Sequence, residues 1–173
     1  MIIEKVHIKQ FEDVRLFYHS LIDGIQNSKY DIGWEKDIYP EPKYLMSSIS
    51  KGELFVGPIN NQIMAAMILN HESNEGYNNF NWPTNANEDE VMGIHALGVH
   101  PEHAGHGYAK ELVRFGIAYA IPNHQKAIRL DVLKENVPAE RLYSSMGFKY
   151  LHTLPMYYED TGLTDYELYE LPL

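Results

Sequence analysis

Val91-Met92-Gly93-Ile94-His95-Ala96-Leu97-Gly98-Val99 runs straight into His100-Pro101-Glu102-His103-Ala104-Gly105-His106-Gly107-Tyr108-Ala109, and the reading of this junction decides the fold. The first stretch is apolar on both alternate faces, as a strand covered from two sides must be. Pro101 marks its end. Gly107 to Ala120 follows as a helix, with Leu112, Phe115 and Tyr119 on its packed side and Lys110, Glu111 and Arg114 on its wet side. Pro122 stops it. Gly105 and Gly107 let the chain take positive φ and approach a ligand closely. A helix start offers unpaired N–H groups and the positive end of a dipole, which together suit a phosphate or pyrophosphate. An ordinary strand-to-helix turn needs small residues too, so the junction alone leaves both readings open. It is not a Walker loop, because no Gly-Lys-Ser/Thr follows. As a dinucleotide fingerprint it is incomplete, because Lys110 stands at the third glycine position.

Outward from the junction, periodicity predicts strands over Ile2–Ile8, Leu54–Val56, Gln62–Asn70, Ala127–Leu133, Phe148–Thr153 and Tyr166–Leu171. Helices are expected over Glu12–Ile25, where Val14, Leu16, Phe17, Leu21 and Ile25 recur at helical spacing, and over Pro42–Ser50 and Val137–Met146, closed by Gly52 and Gly147. Asn60-Asn61 reads as a hairpin turn. Asn27 to Pro42 reads as irregular, and the polar stretch Glu72–Glu90 as a strand-bearing insert or a lid. Helical crossovers between the later strands imply parallel pairing there, and the hairpin implies antiparallel pairing elsewhere. The expectation is one α/β (α+β) domain over residues 1–173, with a single mixed, twisted sheet and helices on both faces.

The 173 residues carry 14 Lys and Arg against 24 Asp and Glu, a net charge of −10. That balance disfavours nucleic acid and anionic membranes, because phosphate repels it. It favours a cationic substrate, or simply a well-hydrated surface. The absence of cysteine excludes disulfides, thiolate nucleophiles and cysteine-bearing zinc sites. No run is long enough to span a membrane, and the first residues lack a signal-peptide core, so a cytoplasmic protein is expected.

A second segment gives the junction a context: Leu130-Asp131-Val132, then Asn136-Val137-Pro138-Ala139-Glu140-Arg141-Leu142-Tyr143-Ser144-Ser145-Met146-Gly147-Phe148. Here the chain resembles the GNAT superfamily of N-acetyltransferases. The family's Gln/Arg-x-x-Gly-x-Gly/Ala signature falls on positions Ala104, Gly107 and Ala109. Its Asn-x-x-Ala-x-x-Leu-Tyr…Gly-Phe segment matches at Asn136, Ala139, Leu142, Tyr143, Gly147 and Phe148. The resemblance is strongest from Val91 to Phe148. One position departs: Ala104 stands where the family has Gln or Arg, leaving backbone donors, His103 or His106 to supply that contact.

The resemblance implies a mostly antiparallel sheet and acetyl-CoA as cosubstrate, held by Leu97, Gly98, Val99, Ala104, Gly105, His106, Gly107, Tyr108, Ala109 and Asn136. It implies an amine acceptor as second partner and allows a homodimer. It gives Tyr143 to the leaving thiolate. Full transfer from a phenol near ~10 to a thiolate near ~8.5 is uphill by about 2 kcal/mol, so a hydrogen bond describes that role better. The Val99 N–H is the expected donor to the reacting oxygen. Asn136 also reads as a helix cap.

An ordinary amine is mostly protonated at neutral pH, so a base or a desolvating pocket is needed. His95 is the expected base, placed by period two on the face of Leu97 and Val99. Glu35, Asp37 and Glu90 are alternatives, as is a water chain. Trp34, Tyr39, Tyr77, Phe80 and Trp82 are read as acceptor-pocket walls or as peripheral core. His100, His103 and His106 recur every three residues, but Pro101 and the glycines break helical geometry between them, so no metal site is expected. A non-catalytic acyl-CoA-binding module on the same fold is the competing reading.

Overall fold

The computed structural model describes residues 1–26, 28–30, 32–60 and 62–173. In chain order the elements are β1 (Glu4–Lys5), α1 (Phe11–Ile25), α2 (Pro42–Lys51), β2 (Leu54–Ile59), β3 (Gln62–Asn70), β4 (Val91–Val99), α3 (Tyr108–Ala120), β5 (Ala127–Leu133), α4 (Val137–Ser145), β6 (Lys149–Tyr158) and β7 (Gly162–Pro172). They build one 7-stranded sheet in the order β1-β2-β3-β4-β5-β7-β6. The β4–β5 pair is parallel and every other pair is antiparallel.

Alternation along the strands divides the core in two. Ala65, Met67 and Leu69 of β3 pack with Phe55 of β2 and with Leu112, Val113 and Ala120 of α3. Ala66 and Ile68 pack with Leu54, Val56 and the buried faces of α1 and α2. Each of the larger side chains among these (Leu, Ile, Val, Phe, Met), fully buried, contributes about 1.5–3 kcal/mol relative to exposure. In α1 the buried stripe is Val14, Phe17, Tyr18, Leu21 and Ile22. Leu16, expected inside, is 61% exposed. Helix ends follow local chemistry: Pro42 opens α2, and Gly52 closes it at φ 70.

Three expectations change. The first strand shrinks to Glu4–Lys5, because a 3-10 turn begins at Ile8. The last two strands lengthen into a hairpin whose register runs from Lys149↔Glu170 to Tyr158↔Gly162. Glu72–Glu90 contains two 3-10 turns and no strand. Its aromatics form a third small core with β6 and β7, where Tyr77, Met156, Tyr166 and Leu168 are buried. A nearly buried ion pair fastens this segment: Arg129 Nε donates to Glu170 at 2.9 Å, Arg129 Nη2 donates to the Thr84 carbonyl, and the Thr84 hydroxyl donates to Glu170. The turn expected at Asn60-Asn61 lies partly outside the described residues, as do Asn27 and Asp31 of the irregular stretch.

β4 does not keep a period of two throughout. Its register against β3 shifts between the Ile68↔His95 and Ala66↔Gly98 pairs, and Ala96 sits at φ 48. This is a β-bulge, and it flips the phase of the remaining residues of the strand. Met92 and Ile94 before it, and Leu97 and Val99 after it, belong to the α3–α4 core, while Ala96 faces α1 and α2. His95 therefore does not share a face with Leu97 and Val99. It lies with Gly93, where a Cβ would come within 2.3 Å of His95 Nε2, and its ring meets Tyr44 of α2 edge-on.

Two phenols satisfy the bulge. Tyr18 donates its hydroxyl to the Ala96 carbonyl at 2.8 Å, and the Ala96 N–H donates to the Tyr39 hydroxyl at 3.2 Å. Removing one leaves a buried backbone group without its partner. Tyr18→Phe is expected to lower stability by about 1–3 kcal/mol, read from urea denaturation; an unchanged midpoint would refute the pinning role.

Candidate active site

The helix α3 begins at Gly107, whose φ is 84, with no side chain capping its N-terminus. Gly105 has φ 80. A Cβ at either glycine would meet nothing within 4 Å, so it is backbone conformation and not crowding that calls for glycine. The first intrahelical bond runs from the Glu111 N–H to the Gly107 carbonyl. The N–H groups of the first turn are left over, and they open on a groove of about 550 Å³. Ala104, Gly105, Gly107, Tyr108, Ala109 and Val99 line one side of it, and Pro138, Arg141, Leu142 and Ser145 the other. Lys110 and His103 line it as well, so two fixed cations, Lys110 and Arg141, face a positive helix end in an otherwise acidic chain.

From this groove β4 and β5 part. Their pairing ends at Gly93↔Arg129, although β4 continues to Val99 and β5 to Leu133. The His100 N–H donates to Met64 of β3, and Gly98 pairs with Ala66. Backbone groups alternate sides along a strand, so those of Leu97 and Val99 face the gap. Gly98 serves packing: a Cβ there would lie 2.4 Å from Leu21 Cδ1. Helix α4 borders the gap, entered through Asn136, whose Oδ1 accepts the Ala139 N–H at 3.3 Å.

Beyond the gap lies a cavity of about 430 Å³, reached by Leu97, Asn136, Ala139 and Tyr143 from the groove side and by His95, Ala96, Trp34, Tyr39 and Tyr44 from the bulge side. Its carboxylates are Glu41, Glu72, Asp131, Glu159 and Asp160, and among the described residues no Lys or Arg lines it. Burial pushes the Tyr143 phenol above its usual range, and the Asp131 charge adds to the effect, so the phenol stays protonated. Burial lowers His95 to about 4 against a smaller opposing pull from Glu72, and its Nε2 has no partner. Asp131 is raised, burial outweighing the hydroxyls of Tyr158 and Tyr77, each donating to Oδ2 at 2.8 Å.

The expected site residues thus separate into distinct positions. Ala104, Gly105, Gly107, Tyr108 and Ala109 meet at the groove, Val99 at its mouth, and Leu97, Asn136, Tyr143 and His95 at the cavity. His106 lines neither hollow: its Nδ1 lies 3.1–3.2 Å from the His103 and Ala104 carbonyls, and its ring stacks on Tyr108. His103 is the histidine beside Ala104 in the groove. His100 commits both ring nitrogens, to Ser20 and to the Glu102 N–H. Of the other candidate bases, Asp37 is held by Arg15 and His19, and Glu90 by Lys126 at the start of β4. Trp34 and Tyr39 reach the cavity, while Tyr77, Phe80 and Trp82 belong to the third core. Sequence reading passed over Lys110, Arg141 and Asp131 as site residues. Asp131 and Arg141 lie inside the quoted motifs and Lys110 directly follows one, and the cations stand out in so acidic a chain; the tyrosines that meet Asp131 are too distant in sequence to signal the contact.

The sequence profile described as the acetyltransferase (GNAT) family matches residues 20–148. An acetyltransferase of the GNAT family from Streptococcus agalactiae superposes with a TM-score of 0.78 at 17% identity, covering 99% of this chain and 95% of that one. The yncA protein of Salmonella typhimurium, solved with its cofactor acetyl-CoA, superposes with a TM-score of 0.70 at 15% identity over 100% of this chain and 94% of that one. In sequence, N-acetylaspartate synthetase of Xenopus tropicalis is 34% identical over 64 residues, which is 37% of this chain and 24% of that protein. The matched family profile spans the junction, the gap and α4, and the chain belongs to the GNAT acetyltransferase family.

Proposed function

We propose that the protein transfers an acetyl group from acetyl-CoA to the primary amine of a small, cationic acceptor by direct attack on the thioester. The observation that carries this reading is a charge-divided channel: groove cations and free helix N–H groups at one end, a carboxylate-lined cavity at the other, and parted strands between them. The donor set fits the cosubstrate. Amides at the start of α3, with Lys110 and Arg141, suit a pyrophosphate, and the unpaired edge of Leu97 and Val99 suits an extended amide-bearing arm. When bound, acetyl-CoA supplies an activated acetyl carbon.

The residues then divide the work. The Val99 N–H donates to the thioester oxygen as charge gathers there. The protonated Tyr143 hydroxyl donates to the departing sulfur. Asn136 holds the start of α4 with Oδ1 and offers its amide N–H to the arm. His95, kept neutral by burial with a pKa near 4, serves as a hydrogen-bond acceptor that orients the amine. The acid-lined cavity argues against a dianionic acceptor such as aspartate and for a cation.

Two variants test the transfer, and a stability measurement tests the neutral state of His95. In Gly107→Ala the free loop relaxes away from φ 84, so binding must restore a strain near ~1.4 kcal/mol and acetyl-CoA should weaken about tenfold in calorimetry. Tyr143→Phe should lower the turnover number, read as thiol release, about 100-fold while acetyl-CoA binding holds. Absence of wild-type turnover on any amine, with binding intact, would instead favour the non-catalytic module.

The third measurement is thermodynamic. A histidine depressed from 6.5 to about 4 takes its proton later in the folded than in the unfolded chain. Its stabilisation is therefore full above pH ~6.5 and is lost as pH falls toward ~4. His95→Gln should flatten the urea midpoint across that window; a parallel decline would refute it.

A further inference from the structure

We propose that Asp131 receives the acceptor: its carboxylate binds the ammonium group of the incoming amine and takes the proton that must leave before the nitrogen can attack. This rests on the transferase reading above and names the residue that selects the amine. Asp131 lies two positions past Arg129, the last residue of β5 paired with β4, and it lines the same cavity as Tyr143 and Leu97.

Its hydrogen bonding is unusual for an anion. Oδ2 accepts both the Tyr77 and Tyr158 hydroxyls at 2.8 Å, so the two donors are neutral. Among the described residues no Lys or Arg bonds to Asp131 and none donates to its Oδ1; both of its side-chain hydrogen bonds fall on Oδ2. Asp131 is half-buried, and a partly desolvated carboxylate without a counter-cation is costly; an ammonium group supplies the missing charge. The two phenols turn one oxygen away and leave the other to the ligand. The phenols of Tyr143 on α4 and Tyr39 before α2 line the same cavity, and both feel the Asp131 charge. Glu159 and Asp160 from the turn after β6, Glu41, Tyr44, Glu72 and His95 across the cavity, and Tyr166 of β7 also face it.

The proton count closes. The ammonium passes one proton to Asp131, the neutral nitrogen bonds to the acetyl carbon, and the carbon–sulfur bond breaks. The second nitrogen proton ends on the departing thiolate, and Asp131 returns its proton to water once the amide leaves. One ammonium and one thioester give one amide, one thiol and one released proton.

The purely structural alternative is that Asp131 only fastens the Tyr77 segment to β6, and kinetics separates the two. With 1,4-diaminobutane or benzylamine as acceptor, Asp131→Asn should keep acetyl-CoA affinity within about twofold and lower kcat/KM about 100-fold or more. The double variant Tyr77→Phe/Tyr158→Phe keeps the carboxylate and removes the donors that favour its charged form. Its pKa rises, so the acid limb of kcat/KM should move to higher pH. A kcat/KM within threefold of wild type in Asp131→Asn, or an unmoved limb in the double variant, overturns the proposal. Failure of the transferase reading looks different, because wild type then releases no thiol with any amine. Asp131 is then judged by calorimetry of 1,4-diaminobutane on the CoA-loaded protein, where weaker binding to Asp131→Asn supports the role and equal or absent wild-type binding refutes it.

Discussion

The bulge at Ala96 is the constraint on which the channel depends. A non-glycine residue at positive φ costs energy, and it persists because two tyrosines from different segments hold its carbonyl and N–H. Tyr18 is fixed in α1, and Tyr39 packs edge-on against Trp34, which in turn packs against Tyr18. The α1–α2 layer thereby sets the shape of a strand on whose other face the α3–α4 layer packs. By changing phase there, β4 gives Leu97 and Val99 to the face that α4 approaches, and it turns His95 toward α2.

The parting of β4 and β5 is the second half of the same device. Antiparallel neighbours on both sides keep the rest of the sheet closed: β3 holds β4 up to Val99, and β7 pairs with β5 along its whole length. Each strand can therefore lose its partner across the gap and remain ordered. The cost is a set of backbone groups with no strand to bond, tolerable only where water or a ligand takes them.

Much of this was legible in the sequence. Strands β3, β4 and β5 follow the expected bounds, because buried apolar runs with turn residues at both ends carry a strong signal. Helices α2 and α4 follow from proline and glycine at their ends. The phase change in β4 was not legible, since nothing local to His95-Ala96 announces it: both stabilising phenols come from the first forty residues. The expectation that His95 faces with Leu97 and Val99 failed for that reason. The lengths of β6 and β7 were missed because Pro155 and a polar turn interrupt an otherwise weak alternation, and pairing in the register of the hairpin overrides it. For the cavity, the sign of the charge was expected and the residues were not. Asp37 and Glu90 spend their charge on Arg15 and Lys126, while carboxylates from four separate segments converge instead.

That division of charge also explains how so acidic a chain can handle an anionic cosubstrate. A net charge of −10 repels pyrophosphate at long range, but salt screens such repulsion beyond about 8–10 Å. At contact the local arrangement governs: Lys110, Arg141 and the start of α3 present donors and positive charge. The carboxylates at the other end repel a phosphate moiety and attract positive charge. A channel with one sign of charge at each end therefore fixes the direction in which a molecule with an anionic head and a neutral tail can lie, before any single hydrogen bond to it forms.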